Sequence, residues 1–383
     1  MRVFILAGEP SGDRLGGALM AGLRVLRPEV TFQGIGGAEM QAQGLVSLFP
    51  MDELSVMGLA EVLPKYRALK ARIRETAQAT IDMQPDVLIT IDSPDFSFRV
   101  AKLVKASSRV RTVHYVAPTV WAWRPKRAEK ISHFIDHLLA VLPFEPPLFE
   151  RHGMECDFVG HPVVAEMQAS AEQAAAFRSA HAVGEGPMIL ALPGSRRGEV
   201  ARLAPIFGEA LAELGSHHPR LKVVVPAAVP VVKAVKAACT AWRVESIVLD
   251  PTGAAPEDAL AMKRAAFRAA DAALAASGTV SLELAAARAP MVIAYRMNPL
   301  SFQLIQWMAL IDTVTLVNLV SKTRVVPEFL GPKCVPEDIA GALANVLSDP
   351  QAQRQAMEKT MRLLGEGGEA PGLRAARAVL ARV

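Results

Sequence analysis

An aspartate that closes a run of apolar residues is the first place in this chain where chemistry can be read. Residues 89–96, ITIDSPDF, put Asp92 at the end of a predicted strand, the position where ligands bind in open α/β sheets. A carboxylate there can take a proton from a hydroxyl, a role worth about 10² to 10⁴ in rate. Asp95, three residues on, reads more simply as a carboxylate in the first turn of a helix. Two further clusters follow the same strand, turn, helix order. LPGSRRGEV at 192–200 offers Ser195 with Arg196 and Arg197 at a helix start, a combination that can stabilise a departing diphosphate. SGTVSLELA at 277–285 offers Ser277, Gly278 and Thr279, with Glu283 one turn on and suited to a vicinal diol such as that of ribose. An N-cap role accounts for Thr279 but not for Glu283.

Three other stretches concentrate unusual residues. GEPSGD at 8–13 joins a strand to a helix, with Gly8 and Gly12 where backbone must turn or approach a ligand and Ser11 as a candidate cap. It lacks the G-x-G-x-x-G of a dinucleotide fingerprint. HYVAPTVWAWRPKR at 114–127 gathers Trp123, Arg124 and Arg127, residues that stack and capture anions. Its place after a strand argues for a small ligand over nucleic acid. His161 and Asn318, each taken alone, read as structural. With no D-x-D pair, no H-E-x-x-H and no G-K-[ST], the expectation is chemistry that needs neither a metal nor a cofactor.

These residues need a framework that places strand ends side by side. Short β-branched runs alternate with helical periodicity, the pattern of βαβ units on parallel sheets. Strands are predicted at 2–7, 31–35, 86–91, 111–116 and 137–141, then at 188–192, 223–225, 246–249, 272–274 and 291–295. The alanine-rich stretch between 165 and 186 separates the two series. The fold class is therefore α/β, with two Rossmann-like domains on parallel sheets, at 1–165 and 186–335. A helical tail, 336–383, carries Leu343, Val346, Met361, Leu364 and Val379 as apolar anchors and is expected to pack back across the first domain.

Composition agrees with a globular chain. Its 383 residues are 51% hydrophobic and 21% charged, enough for two cores and unlike a disordered protein. Cys156, Cys239 and Cys334 form no CxxC pair, so neither a disulfide framework nor a zinc site is expected, and a reducing cytosol is the simple setting. The N-terminus reads as a strand, not a signal peptide. The longest apolar stretch, 299–320, is interrupted by Gln303, Gln306 and Asp312, short of a membrane span. Lys65, Arg67, Lys70, Arg72 and Arg74 form one basic run and Arg124, Lys126, Arg127 and Lys130 another, so local charge outweighs the net +4.

Taken together the motifs resemble the lipid-A-disaccharide synthase family. The matching stretches are GEPSGD at Gly8, ELSVMGLAEVL at Glu53, IDSPDF at Ile91, HYVAPTVWAWRPKR at His114, LPFE at Leu142, FVGHP at Phe158, LPGSRRGEV at Leu192, ASGTVSLE at Ala276 and YRMNP at Tyr295. They run in order over most of the chain. The resemblance implies the twin-Rossmann GT-B architecture and transfer of 2,3-diacylglucosamine from its UDP conjugate to 2,3-diacylglucosamine 1-phosphate. The products would be a β-1,6-linked disaccharide phosphate and UDP, formed with inversion. It further implies Asp92 as general base, Arg196 with the Ser195 turn on the UDP diphosphate, and Ser277, Gly278, Thr279 and Glu283 on phosphate and ribose. Asn318 would contact the nucleotide side, while Gly8, Ser11 and Gly12 would shape the cleft floor. Trp123, Arg124 and Arg127 are candidates for acceptor or phosphate contacts. Arg197 departs from the family, which commonly has a small residue there, and leaves open which arginine binds the diphosphate.

An acylated substrate gives a use to LSVMGLAEVLPKYRALKAR at 54–72, an apolar stretch followed by cations that can lie on an anionic inner-membrane surface. An amphipathic helix facing the core is the competing reading. The setting expected is cytoplasmic and peripheral to the inner membrane of a Gram-negative bacterium, with a homodimer among the assemblies considered. A UDP-sugar epimerase or hydrolase of the same fold, or a non-catalytic nucleotide- or lipid-binding protein, are the rival readings.

Overall fold

The computed structural model describes residues 1–54 and 59–383, the side chains of 59–66 and 299–301 excepted. The chain forms two compact units, Met1–Ala165 together with Leu364–Val383, and Glu166–Leu363.

The first unit is built on seven parallel strands: β1 (Arg2–Ala7), β2 (Thr31–Ile35), β3 (Val46–Ser47), β4 (Val87–Ile91), β5 (Arg111–Tyr115), β6 (His137–Ala140) and β7 (Glu155–Phe158). Their spatial order is β3-β2-β1-β4-β5-β6-β7. Residues 3–7 of β1 and all of β4 are inaccessible to solvent, so both strands read as unbroken apolar runs. Thr90 is the exception in β4, and its hydroxyl lies 2.8 Å from Nδ1 of buried His114. Burial above all, with Arg127 nearby, lowers the His114 pKa to about 3 and keeps the ring neutral. The chain runs outward from β1 to β3 and then crosses to β4 on the other side of β1. At this switch point the carboxyl ends of β1 and β4 adjoin, with Ala7 paired to Ile91.

The helix Pro10–Leu26 follows β1 and buries Leu19, Met20 and Leu23. Its cap position is Glu9 with Pro10 next, so Ser11 lies inside the first turn and is exposed, not the cap. Asp13 is 5% exposed and accepts the amides of Gly37 (2.8 Å), Glu39 (3.0 Å) and Met40 (3.1 Å). It supplies the start of the short helix Ala38–Ala42 with the side-chain cap that Gly37 cannot provide. Helix Pro371–Leu380, from the far end of the chain, packs on Pro10–Leu26. The two meet through glycines: a Cβ on Gly22 would lie 2.7 Å from the Gly372 carbonyl oxygen, and one on Gly372 would lie 2.6 Å from that of Ala18. Arg374 donates to the Phe158 carbonyl (2.9 Å) and Arg382 to Asp157 (2.9 Å), fastening the same helix and its end to β7.

The loop after β5 begins at Val116, which takes φ +80°. Its anchor is Trp121, whose Nε1 donates to Glu145 (3.2 Å) and whose ring meets Phe144 edge-on at 5.4 Å. Glu145 is 1% exposed and also accepts the Leu142 amide at 2.9 Å. Burial raises its pKa to about 7.

The second unit has six parallel strands: β8 (Met188–Leu192), β9 (Lys222–Pro226), β10 (Ser246–Leu249), β11 (Ala272–Ala276), β12 (Met291–Tyr295) and β13 (Glu328–Leu330). The order β10-β9-β8-β11-β12-β13 puts its switch point between β8 and β11, where Leu192 pairs with Ala275. The alanine-rich stretch before β8 is a helix of this unit, Ala171–Ala180, started by a capping box between Ser170 and Gln173. Arg178 ties it down through the carbonyls of Ala269 (2.9 Å) and Gly186 (2.7 Å) and through Asp271 (3.1 Å). Of the three terminal helices, Pro336–Ser348 and nearly all of Gln351–Leu364 belong to this unit and Pro371–Leu380 to the first. Leu343, Val346, Met361, Leu364 and Val379 are all buried.

β3, β7 and β13 are not among the predicted strands. All three are sheet edges of two to four residues, partly exposed, with no apolar run to mark them. Asp86 precedes β4 and accepts the Arg2 amide at 2.7 Å, while Val116 and Val141 fall just past their strands. Among the described residues no helix is long and apolar enough to cross a membrane. Within 54–72, residues 55–58 and the Lys65 side chain lie outside the described residues. Arg67 and Lys70 are exposed, whereas Arg72 is held by Glu53 (2.8 Å) and Glu75 (2.8 Å) and lies over the Phe49 ring.

Replacing Gly372 by Val should cost about 1–3 kcal/mol by overpacking the glycine contact. Urea unfolding monitored by circular dichroism measures it, and an unchanged midpoint contradicts the contact. Glu145 gives a pH signature. Between the ordinary carboxyl value and about 7 the folded protein keeps a proton that the unfolded chain releases, so stability falls as pH rises through that window. Glu145→Gln should remove a slope worth on the order of 3 kcal/mol between pH 4.5 and about 7. Parallel slopes for both proteins would overturn the assignment.

Candidate active site

In the first unit the chemistry collects at the β1 and β4 ends. Asp92 and Ser93 take φ of +48° and +44°, a left-handed pair that turns the chain sharply before Pro94 starts the next helix. The Asp92 amide continues the ladder to the Tyr115 carbonyl (3.0 Å), and its own carbonyl accepts the Ser97 hydroxyl (2.7 Å). The backbone at Asp92 is thus fixed on both sides while its side chain is partly open to solvent. Gly8 comes close to this turn, since a Cβ there would lie 2.6 Å from Ser93 Oγ. Gly12 is also buried, and a Cβ there would come within 3.3 Å of the Ala7 Cβ. Asp95 is exposed in the first turn of its helix, the structural role read for it. The loop after β5 exposes Trp123 and Arg124, stacked with the guanidinium 3.8 Å from the ring centroid. Arg127 is half-buried, its guanidinium 5.6 Å from the Phe98 ring.

In the second unit the β8 and β11 ends open on a pocket of about 670 Å³. Ser195, Arg196, Ser277, Gly278, Thr279 and Glu283 all line it, brought together from segments some eighty residues apart. Arg197 does not line it. Gly194 takes φ +116°, and a Cβ there would overlap Glu199 at 2.6 Å. Glu199 itself accepts the amides of Ser195 (3.2 Å) and Arg196 (3.3 Å) and pairs with Arg196 Nη1 (3.0 Å). The helix Arg197–His217 therefore starts with its own carboxylate on the amides expected to meet a diphosphate. The Arg196 side chain is nevertheless 70% exposed and lines the pocket. Thr279 makes no capping hydrogen bond, and the Ser281 hydroxyl bonds the Gly278 carbonyl instead (3.0 Å), leaving the Thr279 cap reading without support. Glu283 pairs with Lys263 at 2.5 Å, each side chain about one-third exposed or more. Pro226, Val229, Leu249, Pro251, Leu260 and Phe267 give the remaining wall an apolar character suited to a base.

Asn318, which the resemblance placed on the nucleotide side, has a structural place, and His161 is structural as the sequence suggests. Asn318 does not line the pocket and is inaccessible, its amide nitrogen donating to Val326 O (2.9 Å) and Thr313 Oγ1 (3.3 Å) while its oxygen accepts the Val326 amide (3.1 Å). No surface remains on it for a nucleotide. His161 Nδ1 accepts the Val163 amide (3.2 Å), and burial lowers its pKa to about 4. Three residues escaped the sequence reading. Glu199 was detectable, since an acidic residue three places after a turn is a capping-box signal. Asp13 and Lys263 were not, because their partners are fixed only by tertiary packing.

The comparisons with known proteins agree along the whole chain. The family profile described as lipid-A-disaccharide synthetase matches residues 3–379. A lipid-A-disaccharide synthase of Ruegeria pomeroyi is 64% identical over 383 residues, covering 100% of this chain and 96% of its own. That of Rhodospirillum centenum is 48% identical, covering 99% and 94%. Among solved structures, UDP-GlcNAc 2-epimerase from Neisseria meningitidis bound to UDP-GlcNAc gives a TM-score of 0.65 at 12% identity, covering 100% and 99%. Acinetobacter baumannii MurG gives 0.56 at 14%, covering 99% of each chain. At such identity these two share the GT-B-like fold of paired parallel-sheet domains and nothing more. On the strength of the full-length match, this chain belongs to the lipid-A-disaccharide synthase family.

Proposed function

We propose that the chain transfers 2,3-diacylglucosamine from its UDP conjugate to 2,3-diacylglucosamine 1-phosphate, forming the β-1,6 disaccharide 1-phosphate and UDP. The observation that carries this reading, given the family, is the pocket at the β8 and β11 ends, which joins hydroxyls, a solvent-facing arginine and a carboxylate to an apolar wall. Arg196 takes the diphosphate, assisted by the hydroxyls of Ser195, Ser277 and Thr279 and by the close approach that Gly278 permits. Glu283 takes the ribose diol, with Lys263 holding its carboxylate.

The reaction is a single displacement. Asp92 removes the proton from the acceptor hydroxyl, the oxygen bonds to the anomeric carbon from the face opposite UDP, and the bond from that carbon to the diphosphate breaks. The electron pair leaves on UDP, where Arg196 offsets the charge. Gly8, Ser11 and Gly12 border the base, and Trp123, Arg124 and Arg127 are the acceptor or phosphate contacts. We place the enzyme on the cytoplasmic face of the inner membrane, held peripherally by 54–72 through Arg67 and Lys70, and include a homodimer, checked by sedimentation velocity.

Asp92→Asn should lower turnover by about 10² to 10⁴ while UDP affinity measured by calorimetry stays within a factor of about two. Activity near the parent level would sink the base assignment. Arg196→Ala should weaken UDP binding by roughly tenfold or more, in keeping with the loss of a hydrogen bond to a charged group, whereas Arg197→Ala should leave it unchanged. Mass measurement after incubation with both substrates should find the disaccharide phosphate. UDP release that does not depend on the acceptor would favour a hydrolase instead.

A further inference from the structure

The helix Pro299–Met308 and the residues after it form an apolar surface that nothing in the pocket or the catalytic reading uses. Trp307 is 84% exposed, Leu310 60%, Leu304 57% and Ile305 47%. Phe302 holds the helix to its unit, its ring against the Cα of Gly331, which leaves no space for a side chain there. Leu304 and Trp307, two and five residues on, fall on the opposite side of the helix. From Met297 to Ile311 the sequence holds no charged residue. That length is short of the roughly 20 residues needed to span a bilayer, but it suits a segment lying in the interface with tryptophan at headgroup level.

The surrounding charges choose between partners. Arg296 is exposed three residues before the helix, and Lys333 is exposed on the turn Gly331–Lys333 that Phe302 touches. The carboxylates at this end are already engaged: Asp312 pairs with Arg324, and Glu328 accepts Thr313 Oγ1 (2.5 Å) and the amides of Val314 (3.1 Å) and Thr315 (2.8 Å). A cationic rim around an apolar centre complements an anionic lipid surface. A two-fold contact with a second copy would instead set that rim against itself. The helix also leaves the same sheet edge as the pocket. β12 ends beside β11, with Ala294 paired to Ala276, and Arg202 Nε donates to the Arg296 carbonyl at 3.1 Å.

We infer that the exposed face of Pro299–Met308, with Leu310, is a membrane-contact surface of the second unit that seats it on anionic phospholipid beside the nucleotide-sugar pocket. The inference rests on the proposed reading that the substrates are lipids. It differs from the contact assigned to 54–72, since it lies in the other unit.

The test uses the full chain and vesicles of phosphatidylglycerol and phosphatidylcholine. The double variant Leu304→Ser with Trp307→Ser should lose about tenfold in flotation with vesicles, through the apolar area removed. It should keep its melting temperature and its turnover of detergent-dispersed substrates. Trp307→Phe should still float but lose the vesicle-induced blue shift of tryptophan emission. Flotation unchanged in the double variant overturns the proposal. So does a parent protein that sediments as a dimer and a double variant that sediments as a monomer, because the face then belongs to a second copy. Vesicle binding through this face with no disaccharide formed in detergent would sink the substrate reading and leave the surface standing.

Discussion

A parallel strand covered by helices on both faces cannot carry charge along its length, because an unpaired ion in that layer costs several kcal/mol. In β1, β4, β8 and β11 this leaves only the carboxyl ends for polar chemistry, and the residues proposed to react stand there in each unit. The order of strands then does the selecting. Where the winding reverses, two neighbouring turns diverge and leave room, so Gly8 meets the Asp92–Ser93 turn in one sheet and the Ser195 turn shares a pocket with Ser277 in the other.

The turns are narrow in what they tolerate. The left-handed pair at Asp92 and Ser93 is fixed by hydrogen bonds to Tyr115 and Ser97, so the carboxylate is held by backbone and not by a side-chain partner network. In the second unit the amides of Ser195 and Arg196 already hold Glu199. Under the proposed function an incoming diphosphate would meet a turn whose charge is balanced in advance and would compete with Glu199 for the exposed Arg196. Lys263 plays a comparable part for Glu283.

Much of this was legible in the sequence because burial on both faces writes itself as an apolar run. Ten strands, the α/β class and the motif clusters at strand ends follow from that rule. What could not be read depends on contacts between distant segments. β3, β7 and β13 exist because a neighbour pairs with them, not through any pattern of their own. Asp13 caps a helix twenty-four residues away at Gly37, and Asn318 was assigned to a ligand although the protein itself uses every polar atom of its amide. The alanine-rich stretch resembled a spacer, yet Arg178 fixes it as a helix through carbonyls that only the fold brings near.

The glycine contact between Pro10–Leu26 and Pro371–Leu380 bears on how the molecule is made. The first unit opens with residue 1 and is completed by a helix that ends at residue 380, after the whole second unit has been synthesised. The first helix buries Gly16 and Gly17 against Met40 and Glu39 of the nearby Ala38–Ala42 segment, whereas Gly22 is covered by Gly372 and Ala376. Closing a loop of that length is slow compared with local helix formation. The contacts of the second unit are thus closed within one continuous stretch, while the first unit needs a segment from beyond residue 363 to cover Gly22.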